Sequence, residues 1–334
     1  MTSRPKSALV LGAGSIGRRH LGNLRTLGVS DLAAFDPHAE RLQYVSDHFQ
    51  AMPFSSLEEA ISAVQPEIVL VCSPPCEHVR QAIVAIEAGA DVFIEKPVSD
   101  SIERLDQLAS EVRTRQAVVQ VGYNLRFHPP IQKLKELVEQ NAVGKIRWGQ
   151  IHAGSYLPEW RPWQDYRRNY TSQRERGGGI ILDGSHELDY VLWLFGVPVE
   201  LTCMGGKVSQ LEINVEDCAT ILLRFPNGAQ LDVHVDFMQR SYTRGCTLAG
   251  EQGRLVWDFK ANSVRIEPAK GEAQNIPFDC DTNYMYLREM EHFLDCVEQR
   301  STPHCTLEDG IRTLRIALAA RSASEERQWV RLDR

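Results

Sequence analysis

The chain lacks a long apolar run and an excess of basic residues. None of its 334 residues belongs to a stretch of about 18 uninterrupted apolar residues, the length that a membrane-spanning helix needs. Lys and Arg number 37 against 44 Asp and Glu, which gives a net charge of −7. Binding of nucleic acid without regard to sequence needs a basic surface. We therefore expect no membrane and no nucleic-acid partner.

The sequence also shows no paired cysteine motif, and we expect no secretory leader. The eight cysteines are scattered and none forms a C-x-x-C pair; Cys72 and Cys76 are the only close ones. Without a matching second pair, this pattern argues against a metal site and indicates reduced thiols. Residues 1–6 are polar and lack the apolar region of a secretory signal. These observations predict a cytoplasmic protein with no bound metal.

The length corresponds to about two domains at roughly 150 residues each. Residues 8–122 alternate strand-like and helix-like segments, which is typical of a parallel sheet with right-handed crossovers. Residues 199–267 are mostly strand-like, and Asn227-Gly228 supplies a hairpin turn. We predict an α/β fold: a doubly wound domain over 1–122, then an α+β domain over 123–334 built on a largely antiparallel open sheet.

A glycine-rich turn follows the first predicted strand. Gly12-Ala-Gly-Ser-Ile-Gly17 matches G-x-G-x-x-G between a strand and a helix. In a Rossmann domain such glycines allow a tight turn, close approach of backbone to a pyrophosphate, and close packing of helix on strand. Asp36 lies 19 residues after Gly17 and would accept hydrogen bonds from the ribose of NAD while disfavouring NADP. The cofactor residues predicted here are Gly12, Gly14, Ser15, Ile16, Gly17 and Asp36. The alternatives are a tight turn with no nucleotide and an Asp36 that merely begins a turn.

A lysine stands just past the end of another predicted strand. Lys96 follows Val92–Glu95 and precedes Pro97. Ligands of open α/β sheets bind at the carboxyl ends of the strands. A lysine there is suited to exchange a proton with a substrate hydroxyl or ketone. Taken alone, this segment favours a solvated lysine.

Two further segments carry polar groups suited to a site. Ser73 and Pro74 end a strand and are followed by His78 at a helix start. Asp183 and His186 have i, i+3 spacing, which predicts one helix face, and Asp189 extends the row. A carboxylate beside an imidazole can orient and relay a proton. The alternatives are a proline-rich loop in the first case, and a helix cap beside a core histidine in the second.

An aromatic and basic segment precedes the Asp183 motif. Residues 156–176 hold five aromatic residues, five Arg and three acids, and residues 123–180 hold ten basic against five acidic residues. Aromatic faces stack on sugar rings, and Arg pairs with carboxylate or phosphate. We predict that this segment forms a wall of the substrate pocket. An oligomer contact or an arm over a neighbouring subunit is the alternative. The candidate substrate residues are Tyr156, Trp160, Arg161, Trp163, Tyr166 and Arg167.

Together these motifs resemble the Gfo/Idh/MocA oxidoreductases, the relatives of glucose–fructose oxidoreductase and inositol dehydrogenase. Glu95-Lys96-Pro97 is the most specific of them, and Gly122–Pro129, Gly177–Gly179 and Leu307–Ser322 extend the resemblance over nearly the whole chain. The resemblance implies that Lys96 is catalytic with Asp183 and His186 as partners. It also implies that Ser73, Pro74, His78, Glu95 and Asn124 lie near the cofactor, with Arg126 near the substrate.

One spacing departs from the common family pattern, because Asp183 lies three residues before His186 rather than four. This makes His186 the stronger catalytic candidate. The 156–176 segment is similar to a subgroup linked to bacterial surface-sugar and sialic-acid-like pathways. It implies an anionic or nucleotide-linked sugar as substrate.

The resulting hypothesis is an NAD(H)-dependent enzyme that moves a hydride between nicotinamide and a hydroxyl or keto carbon of a sugar. A second hypothesis is a net non-redox conversion, epimerisation or glycoside cleavage, through transient oxidation with retained NAD. A third is a non-catalytic dinucleotide-binding regulator. Because family members usually bury the open sheet face against another subunit, the resemblance also implies a homodimer or homotetramer.

Overall fold

A computed structural model describes residues 4–332 of the chain. The chain divides into two compact units. The first unit comprises the residues up to Asn124 together with Thr282–Arg312, and the second comprises Leu125–Asp281 together with the residues from Thr313 onward. The predicted boundary at residue 122 assigns 282–312 to the second domain, whereas the structure places this segment in the first unit.

The first unit is built on a parallel sheet in the order β3-β2-β1-β4-β5-β6. Its strands are β1 (Ser7–Leu11), β2 (Asp31–Phe35), β3 (Met52–Phe54), β4 (Ile68–Val71), β5 (Asp91–Glu95) and β6 (Val119–Gly122). The helices between them are α1 (Ser15–Thr26), α2 (Ala39–Phe49), α3 (Leu57–Val64), α4 (Pro75–Glu87) and α5 (Leu105–Arg115). The strand order reverses direction between β1 and β4, and ligands of such sheets bind at this switch point.

The second unit is built on a sheet in the order β14-β13-β12-β11-β7-β10-β9-β8-β15. Its pairs are antiparallel except β7 with β10, which is parallel. Its first elements are α6 (Pro129–Glu139), β7 (Ile146–Gly154), α7 (Leu157–Trp160), α8 (Ile180–Asp183) and α9 (Ser185–Phe195). The later strands are β8 (Glu200–Gly206), β9 (Cys218–Arg224), β10 (Gln230–Asp236), β11 (Thr243–Gly250), β12 (Gly253–Asp258), β13 (Ser263–Pro268) and β14 (Gln274–Pro277). The predicted fold class, a doubly wound α/β domain followed by an α+β domain on a largely antiparallel sheet, is confirmed.

The C-terminal part of the chain contributes to both units. It contains α10 (Thr282–Gln299), α11 (Leu307–Glu326) and β15 (Val330–Arg331). Met290, Phe293 and Leu294 of α10 are fully buried in the same core as the apolar residues of β1 and β4. Removing such side chains from water contributes about 1.5–3 kcal/mol each, which explains why α10 belongs to the first unit.

Within residues 4–332, the helices are too short or too polar to cross a bilayer.

Candidate active site

The glycine turn after β1 is shaped by two steric restrictions and one opening. Gly12 has a φ of +102°, and a Cβ there would lie 2.7 Å from the Cys72 carbonyl oxygen. A Cβ on Gly17 would lie 1.9 Å from the Gly12 carbonyl oxygen. A Cβ on Gly14 would meet nothing within 4 Å, and Gly14 has no side chain to cap α1. The turn therefore leaves open space at a helix N-terminus, which is the arrangement that suits a pyrophosphate.

Asp36 lies at the end of β2 and is 1% exposed. Its Oδ2 accepts hydrogen bonds from the Ala13 amide at 2.9 Å and the Arg41 guanidinium at 3.3 Å. Its Oδ1 accepts from the His38 amide at 2.9 Å and lies 3.0 Å from the His38 ring. A carboxylate has about four acceptor positions, so these contacts use all of them. Ribose hydroxyls would therefore replace the partly exposed Arg41 and His38 side chains.

Glu95 is paired with a buried histidine that the sequence analysis missed. Glu95 Oε1 lies 2.7 Å from His20 Nε2, and Oε2 accepts a hydrogen bond from the Lys96 amide at 3.1 Å. The His20 side chain, on α1, is fully buried. The pair therefore fixes the backbone that carries Lys96. The only sequence signal was a polar residue one turn after Gly17 on the apolar face of a helix.

Helix α10 adds a tyrosine to this cluster. The Tyr286 hydroxyl is hydrogen-bonded to the Asn124 side chain, and burial with the nearby Glu95 charge raises its pKa to about 12. The Tyr286 ring also makes an edge contact with His20, at 6.3 Å between ring centroids. Tyr286 therefore stays protonated at neutral pH, and its oxygen accepts a hydrogen bond from the Asn124 side-chain amide. Asn124, a predicted cofactor residue, is 2% exposed and lies at this position.

His78 connects the loops that follow β4 and β5. Its Nδ1 lies 2.8 Å from the Pro97 carbonyl oxygen, and its Nε2 lies 2.8 Å from the Ser73 carbonyl oxygen. Burial lowers the pKa of His78, so the ring is neutral near pH 7 and donates to one carbonyl at a time. Pro74 caps α4, and the Lys96–Pro97 peptide bond is cis. Ser73, Pro74, His78 and Lys96 thus meet at the carboxyl edge of the sheet.

In the second unit, Asp183 and His186 lie on different helices. Helix α8 ends at Asp183 and α9 begins at Ser185, with Gly184 between them. The prediction that Asp183, His186 and Asp189 share one helix face is therefore wrong for Asp183, because glycine is a poor helix residue and interrupts the row. The Asp183 Oδ1 accepts a hydrogen bond from the Tyr170 hydroxyl at 3.1 Å. His186 is 8% exposed.

Asp189 forms a buried bidentate ion pair with Arg126. The two nitrogen–oxygen distances are 2.9 and 2.8 Å, and the side chains are 1% and 4% exposed. The Arg126 guanidinium also lies over the Trp193 ring, 5.7 Å from its centroid. The Arg126 guanidinium thus binds the Asp189 carboxylate, whereas the sequence analysis predicted that Arg126 binds substrate.

The aromatic and basic segment begins with the short helix α7 and continues through three short 3-10 helices, Tyr166–Arg168, Tyr170–Ser172 and Arg174–Arg176. Its first part lies against other side chains: Arg240 stacks over the Tyr156 ring at 3.6 Å, and Trp160 makes an edge contact with Phe237 at 5.3 Å. Trp163 is 71% exposed. The start of the segment is therefore anchored, and its middle projects into solvent.

The later residues of this segment bond to neighbouring loops. The Tyr166 hydroxyl accepts from the Glu212 amide at 3.2 Å, and Arg167 pairs with Asp165 at 2.8 Å and with Glu212 at 3.1 Å. Arg161 is partly exposed. Among residues 4–332, no group of three or more His, Cys, Asp or Glu side chains is arranged to hold a metal ion.

Two family domains match this chain. The first, described as "Oxidoreductase family, NAD-binding Rossmann fold", matches residues 6–123. The second, described as "GFO/IDH/MocA C-terminal domain", matches residues 131–256. The chain belongs to the Gfo/Idh/MocA family. The predictions of an oxidoreductase, of an NAD cofactor and of this family are confirmed.

Individual known proteins are similar to nearly the whole chain. A myo-inositol 2-dehydrogenase of Thermotoga maritima is 29% identical, with 97% of this chain and 98% of the relative covered. A UDP-N-acetylglucosamine 3-dehydrogenase of Acidithiobacillus ferrooxidans is 27% identical over 95% and 96%. The crystal structure of the WlbA dehydrogenase of Bordetella pertussis with NADH and UDP-GlcNAcA has a TM-score of 0.86 at 20% identity, covering 99% and 100%. That last likeness shows the shared fold.

Proposed function

We propose that the protein is an NAD(H)-dependent oxidoreductase acting on a hydroxyl or keto carbon of a sugar that is anionic or nucleotide-linked. NAD when bound supplies the hydride acceptor, and NADH the donor. Gly14 leaves room for the pyrophosphate, and Gly12 and Gly17 allow the tight turn beside it. The first-turn amides of α1, from Ser15 and Ile16, bind the pyrophosphate. Asp36 holds the ribose once Arg41 and His38 move aside.

The observation that carries the proposal is the position of Lys96. It directly follows β5 at the carboxyl edge of the parallel sheet, where β1 also delivers the glycine turn. The His20–Glu95 pair fixes its backbone amide, and His78 binds the carbonyl of Pro97. A lysine held in this way exchanges the proton of the reacting hydroxyl or carbonyl oxygen.

His186 and Asp183 are the remaining catalytic candidates. His186 polarises the reacting oxygen or relays its proton, and Asp183, oriented by Tyr170, assists it. We assign Arg126 a positioning role, since its ion pair with Asp189 fixes α9. Tyr156 and Trp160 line the substrate side. Trp163, Tyr166, Arg161 and Arg167 contact the charged or nucleotide part. The names of the Acidithiobacillus and Bordetella relatives support a nucleotide-linked sugar.

A substrate panel with isotopically labelled cofactor tests this proposal. Keto forms of neutral sugars, of uronic acids and of UDP-linked sugars are incubated with the protein and NADH deuterated at nicotinamide C4. We expect one deuterium in the product carbinol and the highest kcat/KM for a charged or UDP-linked keto sugar. Product formation without net NADH change and with tightly retained cofactor would favour the non-redox alternative. Cofactor binding without turnover on any member would favour a regulator.

We also propose a cytoplasmic homodimer or homotetramer formed through the open face of the second sheet. Trp148, Leu222 and Met204 are exposed on that face, at 44%, 43% and 80%. Their strands place them on the side opposite buried Ile151 and Val233. Light scattering after size-exclusion chromatography should show a dimer or tetramer, and a stable monomer would contradict this.

A further inference from the structure

Helix α8, which ends at Asp183, consists of a single turn, Ile180–Asp183. A first helical turn is unfavourable by itself, because it fixes several residues for one hydrogen bond. Gly179, at the N-cap, has no side chain that could accept from the free amides at the start of the helix. The Asp183 amide donates to the Gly179 carbonyl oxygen at 3.0 Å. The position of Asp183 therefore depends on the contacts that hold Gly179 and the start of α8 in place.

Glu216, in the segment before β9, supplies acceptors at this helix start. Its backbone carbonyl oxygen accepts a hydrogen bond from the Ile180 amide at 3.0 Å, and its Oε1 accepts one from the Ile181 amide at 3.4 Å. Oε1 also packs against Gly179, which has a φ of +109°, because a Cβ there would lie 2.3 Å from this oxygen. Glu216 therefore caps α8 with its backbone and its side chain together.

Arg321 of α11 binds the Glu216 carboxylate and the turn before α8 at the same time. Its Nη2 lies 2.9 Å from Glu216 Oε1 and donates to the Gly178 carbonyl oxygen at 3.0 Å. The Arg321 and Glu216 side chains are 15% and 8% exposed. Charge-assisted hydrogen bonds that are shielded from water are stronger than those at the surface. Glu216 and Arg321 thus form a capping pair that fixes the helix start and the turn together.

A second set of contacts holds the same turn. The Gly178 amide donates to the Gln173 carbonyl oxygen at 3.0 Å, and a Cβ on Gly178 would lie 2.3 Å from the Tyr170 carbonyl oxygen. The Tyr170 hydroxyl donates to Asp183 Oδ1 at 3.1 Å. Because both sets fix the turn, loss of the capping pair lets Asp183 move relative to the hydroxyl that orients it.

We propose that Glu216 and Arg321 are positioning residues for the reaction, which hold the Asp183 carboxylate where it assists His186. This role rests on the proposed function, because it takes from there the part that Asp183 plays. The capping pair acts through the start of α8 and contributes no group to the reacting atoms. A displacement of about 1 Å in a reacting group can cost about 10²-fold in rate. Loss of the pair should therefore lower kcat and leave NADH affinity unchanged.

A double-mutant cycle on kcat, made in the full-length protein with the best substrate of the panel, tests this role. Arg321→Met should lower kcat about tenfold or more and change the substrate KM less than about threefold, as expected for an interaction that acts in the transition state. In an Asp183→Asn background the same substitution should lower kcat less than about twofold, because the positioned carboxylate is already gone. Arg321→Lys, which keeps a donor for Glu216, should recover part of the loss.

The matched control is Arg312→Met, the same substitution at an exposed arginine of α11 that pairs with Asp309. It should leave kcat unchanged in both backgrounds. If Arg321→Met fails to fold, as judged by thermal unfolding, the double variant Glu216→Gln with Arg321→Met takes its place, since it leaves no buried charge unpaired. The same dependence on Asp183 is expected of it.

Two kinds of failure are distinguishable. An unchanged kcat in the folded variant, or a loss by the same factor with and without the Asp183 carboxylate, would overturn the positioning role while the proposed function stands. A wild-type protein that turns over no sugar of the panel would overturn the proposed function, and the positioning role with it.

Discussion

Disrupting the Arg126–Asp189 ion pair tests whether Arg126 has a structural or a substrate-binding role. Asp189→Asn removes the charge that compensates the guanidinium while keeping the shape of the side chain. Both side chains are at least 96% buried and share two hydrogen bonds. Breaking such a buried pair costs about 3–5 kcal/mol of unfolding free energy. At about 2–4 °C per kcal/mol for a domain of this size, the melting temperature should fall by roughly 10 °C.

The assay combines urea unfolding with steady-state kinetics. Arg126→Met should cost as much as Asp189→Asn, and the double variant Arg126→Met with Asp189→Leu should recover part of the loss, because both charges leave together. The exposed pair of Lys133 with Glu136 is the control, since Lys133→Gln should change stability by less than about 1 kcal/mol. If Asp189→Asn unfolds like the wild-type protein while Arg126→Met raises only the substrate KM, Arg126 binds substrate and the reasoning fails.

Three further outcomes are expected. Asp36→Ser should weaken NADH binding about tenfold or more and shift the preference toward NADPH, because lost ribose bonds and the freed Arg41 act in the same direction; fluorescence titration giving an unchanged NADH/NADPH ratio would contradict this. Burial and the Arg244 charge lower the pKa of His128 from 6.5 to about 4. As the pH falls, His128 is therefore protonated in the unfolded state before it is protonated in the folded state, and the free energy of unfolding decreases between pH 6.5 and 4 by up to about 3 kcal/mol. His128→Gln should flatten that part of the urea-midpoint profile, and an unchanged slope would count against this pKa. Tyr170→Phe should lower kcat about tenfold with NADH affinity unchanged, since it removes the hydrogen bond to Asp183; an unaltered kcat would exclude Asp183 from a role that depends on Tyr170.

The elements with strong local patterns are the ones that sequence reasoning predicts. The apolar run before Gly12 forms β1, and the amphipathic segment after it forms α1. Both were predictable because the pattern of apolar residues within each segment is enough to indicate a buried strand or a helix face. Strand β3 and helices α2 and α3 were not predicted. The start of helix α3 could have been recognised from Ser56 and Glu59, because a serine three residues before a glutamate is the sequence pattern of an N-terminal cap. In the structure the Ser56 side chain accepts a hydrogen bond from the Glu59 amide.

Pairings between distant residues are beyond a single sequence. His20 and Glu95 are 75 positions apart, and Tyr286 joins them from a helix that the sequence analysis placed in the other domain. Motif spacing predicts which strand ends meet, but it does not show which buried polar groups fill the space between them. The same holds for Arg126, whose partner is 63 positions away.

The account's central claim is that Lys96 exchanges the proton during hydride transfer, and turnover of Lys96→Ala tests it most directly. NADH consumption and NADH affinity are measured in the same samples on the best substrate of the panel, with Lys133→Ala as the control for loss of a lysine. The account predicts a kcat lower by about 10²–10⁴-fold with NADH affinity unchanged, and wild-type kinetics for the control. Near-normal turnover by Lys96→Ala would contradict it.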